Sequence, residues 1–444
     1  MKRLKMMVCF AVAAVLACAC MGLAGCGIGG TTADNEITVA VINNSSEVTT
    51  ANQFKAAYQK KYPNRKVSIV RITGGLDNWI VKQKQARSLP DIIQVYDYSA
   101  AYWTAQNLYY PISDLMAKDG LKESDYFEAI IDIAKSGDDG KVYWAPRDYN
   151  KTVIAYNKDI FDAAQVSYPT DTWTWTDFLN TCNALKEKAN AIKSAMAQTV
   201  FYPISANLNW EAVYYPAIKS YGGDIIDKDA GKAMKNKDAF IKGVSALLAL
   251  ADEGLALPPT QDTVPFANKQ CAMQICVRPD IVSYANNLRK SDGSVPMDFV
   301  AMPSYDDPDV ETSYIGLGCT GYGITTGCTS AKREMAWDFL KLVMTEEGQE
   351  SFCATGSGFP VLVAMAEDEN ATYRSYLPGA NHDAFYKFPE RDLPMNYLAG
   401  FKPSAHLYIR QVLTDTMLKQ AYSASDRTAF FNELESRLNN AIGR

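Results

Sequence analysis

The chain is predicted to be α/β, with more helix than sheet, and three observations predict it. Short apolar runs alternate with amphipathic stretches in the order strand–helix–strand–helix–strand before Ser99, the signature of a parallel sheet with crossover helices. Nearly half of the residues are apolar (48%), yet no second long apolar run follows Cys26, so the body is built from many short elements rather than membrane spans. The length of 444 residues exceeds one ordinary core of roughly 150–200 residues and implies two domains.

The N-terminus reads as a secretion leader. Lys2, Arg3 and Lys5 form a basic region, Met6 to Leu23 is apolar, and Leu23-Ala24-Gly25-Cys26 is a small-residue cleavage site ending on cysteine. That order is a lipoprotein signal, in which the Cys26 thiol takes a diacylglycerol and the mature chain starts there. The alternative is a membrane anchor, but the run is short and no basic stop-transfer segment follows. Residues 1–25 are therefore expected to be a signal peptide, and the Gly- and Thr-rich residues 26–35 a flexible tether.

The body follows in order. Ile37 to Ile42 is an apolar strand. Thr50 is placed to cap a helix whose Phe54, Ala57 and Tyr58 share a face and which Pro63 ends. Val67 and Ile69 alternate with Ser68 as a strand. Gly74-Gly75 breaks the chain before a helix capped by Asp77 or Asn78 and running to Ala86, and Pro90-Asp91 precedes the strand Ile92 to Val95. Val142 to Pro146 and Thr152 to Tyr156 are two further strands, with Arg147 to Asn150 between them. Beyond Tyr156 the pattern turns helical: Phe178 to Lys188 capped by Thr174 or Thr176, Trp210 to Lys219, and Phe240 to Glu253. The strand Cys271 to Val277, the helix Pro279 to Leu288 and the strand Asp298 to Ala301 come next. A glycine-rich crossing (Gly316, Gly318, Gly321, Gly323) carries a strand at Tyr322 to Thr325, Ala331 to Met344 is an amphipathic helix, and two helices fill His406 to Ile442.

Charge and composition exclude several functions. The formal charge is −6, and taking away Lys2, Arg3 and Lys5 with the leader leaves −9. Acidic, well-mixed charge argues against nucleic acid and against holding an anion by bulk field. His382 and His406 are the only histidines and lack metal-ligand spacing, so they read as surface polar residues, with no metal and no cofactor expected. The body cysteines are Cys182, Cys271, Cys276, Cys319, Cys328 and Cys353. Disulfides are allowed in an exported chain, but sequence leaves their pairing open, and buried thiols serve equally well. Cys271 and Cys276 are disfavoured as partners, because five residues of strand separate them by about 16 Å, against a limit of about 7 Å. The glycine-rich crossing lacks the Lys-Ser/Thr of a phosphate loop.

Several stretches, taken in order, resemble one family. They are Pro90-Asp91-Ile92-Ile93; Gln106-Asn107-Leu108 through Ile112-Ser113-Asp114-Leu115; Gly140-Lys141-Val142-Tyr143-Trp144-Ala145-Pro146; and Ile154-Ala155-Tyr156-Asn157-Lys158-Asp159. Thr174-Trp175-Thr176-Asp177-Phe178, Ala336-Trp337-Asp338-Phe339-Leu340-Lys341-Leu342 with Glu346-Glu347-Gly348-Gln349, and Ser357-Gly358-Phe359-Pro360-Val361 complete the set. Running from about Ile37 to Val361, this pattern resembles the extracellular solute-binding proteins, family 1, of carbohydrate ABC transporters, the maltodextrin-binding type. One departure is Arg278, where the family often carries Trp. The resemblance implies a two-lobe, periplasmic-binding-protein-like (type II) clamshell with an interlobe cleft. The chain would cross near Arg147 to Thr152 and near Gly318 to Gly321, giving an N-terminal lobe of 36–149 plus 318–360 and a C-terminal lobe of 150–317 plus 361–444. It also implies a carbohydrate ligand, ABC permease subunits as partners with an ATPase engaged indirectly, and a monomer lipid-anchored on the extracytoplasmic face of the cell membrane.

Candidate ligand residues are those beyond strand ends, where open α/β sheets bind. Sugar recognition needs aromatic faces for C–H surface and planar polar groups for hydroxyls. Asp97 follows the third strand between Tyr96 and Tyr98, and Trp79 stands beside Asp77 and Asn78 at a helix start. Arg147-Asp148-Tyr149 sits at the expected hinge, where a surface ion pair is the alternative. Trp210 opens a helix at a position where the resembled family builds a stacking wall. Arg278 follows an apolar strand and could fork onto hydroxyls or a uronic acid, or pair with Asp280; Tyr314 precedes the glycine-rich crossing. Trp173, Trp175 and Trp337 are assigned to the core. Three functions remain in view: a non-catalytic receptor delivering a sugar or another solute to an importer, a surface-anchored glycoside hydrolase using paired carboxylates such as Asp97 and Asp148, and an adhesin.

Overall fold

In the computed structural model, residues 34–261, 265–398, 403–413 and 417–443 are described; the leader and Cys26 lie outside them. Strands β1 (Glu36–Ile42), β2 (Lys66–Ile72) and β3 (Ile92–Tyr96) are parallel, joined by helices α1 (Ser45–Lys61) and α2 (Leu76–Ala86), and helix α3 (Asp97–Ala105) follows at once. β1 is largely apolar and buried throughout its middle, as a strand covered by helices on both faces must be. The helix starts are set differently from the sequence reading. Asn44, not Thr50, caps α1 by accepting the Glu47 amide, and Gly75 with φ +90° opens α2 ahead of Asp77. Thr174 does cap α4 (Trp175–Glu187), in a reciprocal capping box with Asp177.

The first sheet has the order β2-β1-β3-β13-β4. β13 (Thr320–Ile324) arrives from late in the chain and lies antiparallel between β3 and β4 (Ala145–Pro146). The second sheet, β11-β6-β10-β7, is built from β6 (Val153–Asn157), β7 (Tyr202–Ser205), β10 (Cys271–Cys276) and β11 (Met297–Ala301). A hairpin of β8 (Asp224–Asp227) and β9 (Lys232–Lys235) stands apart. Helices α5 (Glu211–Ser220), α6 (Lys237–Asp252) and α7 (Ile281–Leu288) cover this second unit, α8 (Ser330–Met344) and α9 (Glu346–Cys353) return to the first, and α10 (Pro403–Leu413), α11 (Met417–Ser423) and α12 (Arg427–Ile442) close the chain. The tail thus holds three helices where two were expected.

Two core clusters are present, and the second sheet contributes to both: Val153, Ala155, Cys271, Cys276, Met297 and Phe299 lie in the first, Ile154, Met273 and Val300 in the second. Ile37, Val39, Phe54, Trp103, Trp144, Tyr322 and Phe339 belong to the first; Ile154, Phe178, Ile204, Phe240 and Leu248 to the second. Trp173 and Trp337 are buried as expected, and Trp175 packs half-buried on the second core. After Val361 the chain reaches the second sheet: the Phe385 ring lies 5.1 Å from that of Phe299, and the Asn381 amide donates to Asp298, both on β11. The six body cysteines are buried thiols, and burial alone pushes Cys182 above the ordinary thiol range. No helix among the described residues is long and apolar enough to cross a membrane.

A third sheet joins the two units. β5 (Asn150–Lys151) pairs antiparallel with β12 (Ile315–Gly318), which pairs in parallel with β14 (Asp392–Pro394). The expected division also implies three connections, with the third at 360–361; in the structure the third strand of the connecting sheet is β14. Fully buried Lys151 places its ammonium 2.6 Å from the equally buried Asp392 carboxylate and donates to the Lys387 and Phe388 carbonyls, while the Tyr149 hydroxyl donates to Asp392 as well. A buried charge is tolerated only with such a complete partner set. Gly316 is required by close approach: a Cβ there would overlap the Ala212 carbonyl, whereas a Cβ on Gly318 would find its nearest atom at 3.8 Å.

Two outcomes follow for chemical denaturation. Lys151→Met should cost about 3–5 kcal/mol by stranding Asp392, and the double variant Lys151→Met/Asp392→Leu should recover most of it; a double variant no more stable than the single one would contradict a paired role. Gly316→Ala should destabilise by about 1–3 kcal/mol or more, and Gly318→Ala should be close to neutral.

Candidate ligand-binding cleft

Parallel strands place their carboxyl ends, and the loops beyond them, on one edge of each sheet. In the first unit that edge carries Asn43 to Glu47, Gly74-Gly75 and Tyr96 to Tyr98; in the second, where β7 and β10 are parallel neighbours, it carries Asn207 to Glu211 and Val277 to Asp280. The two edges face each other. Burial pushes the Asp97 carboxyl up to about 7, and the Glu211 carboxylate of the opposite unit adds to that rise.

On the second edge lies a recess of about 530 Å³ lined by Asn207, Asn209, Trp210, Val277 and Asp280. Trp210 is half-buried at the N-cap of α5, its backbone amide held by the Asn207 carbonyl. Asn207 adopts φ +48°, which Asn tolerates better than most residues. The Asn209 amide is tied on both sides, to the Pro259 carbonyl and from the Lys419 amide, so its position is rigid. Asp280 accepts the Val277 amide and is pushed up from the ordinary carboxylate range by burial. An aromatic wall with amide and carboxylate groups at its rim is suited to a polyhydroxylated, uncharged solute.

The sequence-predicted residues divide sharply. Trp210 lines this recess. Asp97 stands at the facing edge, but one carboxylate oxygen accepts the Tyr98 amide (2.7 Å) and the other the Cys319 amide (2.9 Å), so it pins the crossing strand to α3. Because its folded-state value lies above the ordinary 3.8, Asp97 withdraws stability as pH rises from about 4 towards 7, the reverse of a paired carboxylate. Asp148 accepts the Thr320 amide and hydroxyl, both at 2.7 Å. Arg147, expected to serve the cleft, is buried against Glu47 (2.6 Å) and Asp148 (2.8 Å), so neither that role nor the alternative surface pair describes it: it belongs to an interior network that also engages a residue of α1. Tyr149 is fully buried on Asp392, and Trp79 belongs to the first core. Tyr98 is half-buried under Arg410. Tyr314 lines an internal void of about 20 Å³ and a surface pocket of about 270 Å³, neither being the Trp210 recess.

Arg278 is corrected outright. Its side chain is fully buried, donating to the Gly356 carbonyl (2.7 Å), the Tyr373 carbonyl (2.6 Å) and His382 Nδ1 (2.8 Å), over the rings of Tyr373 and Phe385. It offers nothing to a solute and forms no ion pair with Asp280, which lines the recess instead. The histidines are corrected too: His382 and His406 are 2% and 3% exposed, not surface residues. His382 accepts from Arg278 and donates through Nε2 to the Leu377 carbonyl, a pattern only the neutral ring can satisfy. Sequence reasoning missed Asn207, Asn209 and Asp280; the shared signal was polar residues directly after a strand end.

Burial, reinforced by the Arg278 charge, depresses His382 to about 4. Its unfolded value is near 6.5, so its stabilisation is complete above pH 6.5 and is lost as pH falls towards 4, up to about 3 kcal/mol. His382→Gln, which can still accept from Arg278 and donate to Leu377, should flatten that limb: the stability gap between wild type and variant should shrink on acidification from pH 6.5 to 4. A gap that widens instead would mean His382 is charged in the fold.

Comparison with known proteins agrees with this architecture. Residues 53–376 match the family model described as bacterial extracellular solute-binding protein. A binding protein of Brucella abortus is 23% identical over 260 residues, 56% of each chain, so the match spans about half the length of that relative. Among solved structures, an ABC substrate-binding protein of Listeria monocytogenes in complex with cycloalternan has a TM-score of 0.70 at 18% identity, covering 92% of this chain and 99% of that one. The sugar-binding protein MalE of Xanthomonas citri has 0.73 at 15% identity (92% and 97% covered), and UgpB of Mycobacterium tuberculosis in complex with glycerophosphocholine has 0.72 at 15% (94% and 99%). These structures share the two-lobe fold. The chain belongs to the bacterial extracellular solute-binding proteins.

Proposed function

We propose that the chain is the extracytoplasmic substrate-binding component of an ABC importer, taking a sugar or oligosaccharide into the interlobe cleft and passing it unaltered to the permease. The observation that carries this reading is the recess of about 530 Å³ walled by Trp210, with Asn207, Asn209 and Asp280 at its rim. Stacking on an indole face and hydrogen bonding to fixed planar groups are what a sugar demands. The named ligands of similar structures, cycloalternan among them, support the class. Hydrolysis is disfavoured, because Asp97 and Asp148 both use their carboxylates on backbone amides of the crossing strand. In this reading Cys26 carries the lipid that moors the protein outside the cell membrane, the ATPase is met only through the permease, and the receptor acts as a monomer.

Thermal-shift screening against neutral mono- and oligosaccharides, acidic sugars and glycerophosphodiesters identifies the solute, since a ligand of the native state raises the melting temperature. For the sugar found, Trp210→Ala should weaken binding in calorimetry by roughly 1–3 kcal/mol with the melting curve of the free protein retained. Unchanged affinity would place the solute elsewhere, and sustained release of new reducing ends would replace the receptor by an enzyme.

A further inference from the structure

Helix α10 belongs to the second unit, where Ala405, Ile409 and Leu413 enter its core. His406 and Arg410, one helical turn apart, meet the first unit instead. Facing them on α3 are Tyr98 and Tyr102, also one turn apart. The Arg410 guanidinium carbon sits 3.5 Å from the Tyr98 ring centroid. The His406 ring stacks on Tyr102, centroids 5.2 Å apart and 26° from parallel, and its Nε2 donates to the Tyr98 carbonyl at 2.9 Å. Glu211, next to Trp210, is the leading opposite charge acting on Arg410, and Tyr96 stacks on Tyr98 at 5.3 Å. Two residues of one unit thus grip two of the other, beside the strand ends that frame the cleft.

We propose that α10 is an interlobe clasp: His406 and Arg410 hold Tyr98 and Tyr102, shut the α3 end of the cleft, and exclude solute from Tyr98, so that Arg410 limits how long a solute the Trp210 recess accepts. The clasp stands on the contacts alone; its effect on solute length rests on the receptor reading above. A planar guanidinium on an aromatic face competes for the very surface on which a sugar would stack. Tyr98 is therefore a gate residue rather than a binding platform while Arg410 covers it.

The test uses the full mature chain in solution without added solute. Arg410→Ala and Tyr98→Leu should each raise the radius of gyration in small-angle scattering and speed amide exchange across 98–105 several-fold, with the amides of β1 and β6 unchanged. Tyr98→Phe, which keeps the ring and loses only the hydroxyl's bond to Arg410, should lie much nearer wild type than Tyr98→Leu, and Arg410→Lys, which keeps charge but loses the plane, should fall between wild type and Arg410→Ala. If core amides also accelerate in Arg410→Ala, the Tyr98→Leu against Tyr98→Phe contrast decides. Wild-type scattering and exchange in both Arg410→Ala and Tyr98→Leu would overturn the clasp. A ladder of linear maltooligosaccharides then tests selection: Arg410→Ala should bind longer members than wild type. An unchanged length preference in a variant whose lobes have opened would overturn the exclusion. A ladder that binds neither protein counts against a maltooligosaccharide as the solute, and the clasp is then decided by scattering and exchange.

Discussion

Two carboxylates gripping adjacent amides hold this molecule's halves in register. Asp97 accepts the Cys319 amide and Asp148 accepts the amide and hydroxyl of Thr320, so the strand leaving one sheet for the other is seized at consecutive residues. Asp97 begins α3 at a strand end on the cleft, and Asp148 is locked to Arg147 and through it to Glu47 on α1. The crossing strand, the first helix and the cleft edge are therefore one mechanical unit. The bonds to Asp148, which is ion-paired with Arg147, are charge-assisted and stronger than neutral ones, which suits them to a place where the chain must bend without slipping.

The rest of the connection repeats the idea with different chemistry. Lys151, buried beside Asp392, joins the first crossing to the third, and the backbone pairing of β5, β12 and β14 ties all three together. Arg278, without a carboxylate, binds segments near Gly356, Tyr373 and His382 to the end of β10. Each of these cations is satisfied by the protein itself. What faces the open cleft is instead aromatic, amide and carboxylate, a surface that suits uncharged polyols better than anions.

Much of the fold was legible. The alternation at Ile37 to Ile42 and Val67 to Ile69, the breaks at Pro63 and Gly74-Gly75, and the capping pattern at Thr174 each named an element that exists, because period and punctuation are local properties. The site was less legible. Trp210 lines the recess, and the signal for it is a strand end and an aromatic that coincide there. Asp97, Arg147, Asp148, Tyr149 and Arg278 were chosen for the same proximity to strand ends, yet they serve the interior, since hinges and cleft edges occupy the same places in the chain and draw on the same polar residues.

Sequence by itself determined the α/β class and the order of most elements, which follow from hydrophobic periodicity and short-range punctuation, while the family resemblance rests on its ordered motifs. Tertiary structure alone decided which polar groups meet solvent. Arg278 looks like a ligand group until Gly356, Tyr373 and His382, distant in the chain, supply its partners, and His382 looks like a surface group until Arg278 meets it. The third crossing at β14 and the grip of His406 and Arg410 on Tyr98 and Tyr102 likewise join residues far apart in the chain. A side chain's role is set by what folding brings against it, and that information is carried by no single stretch of the chain.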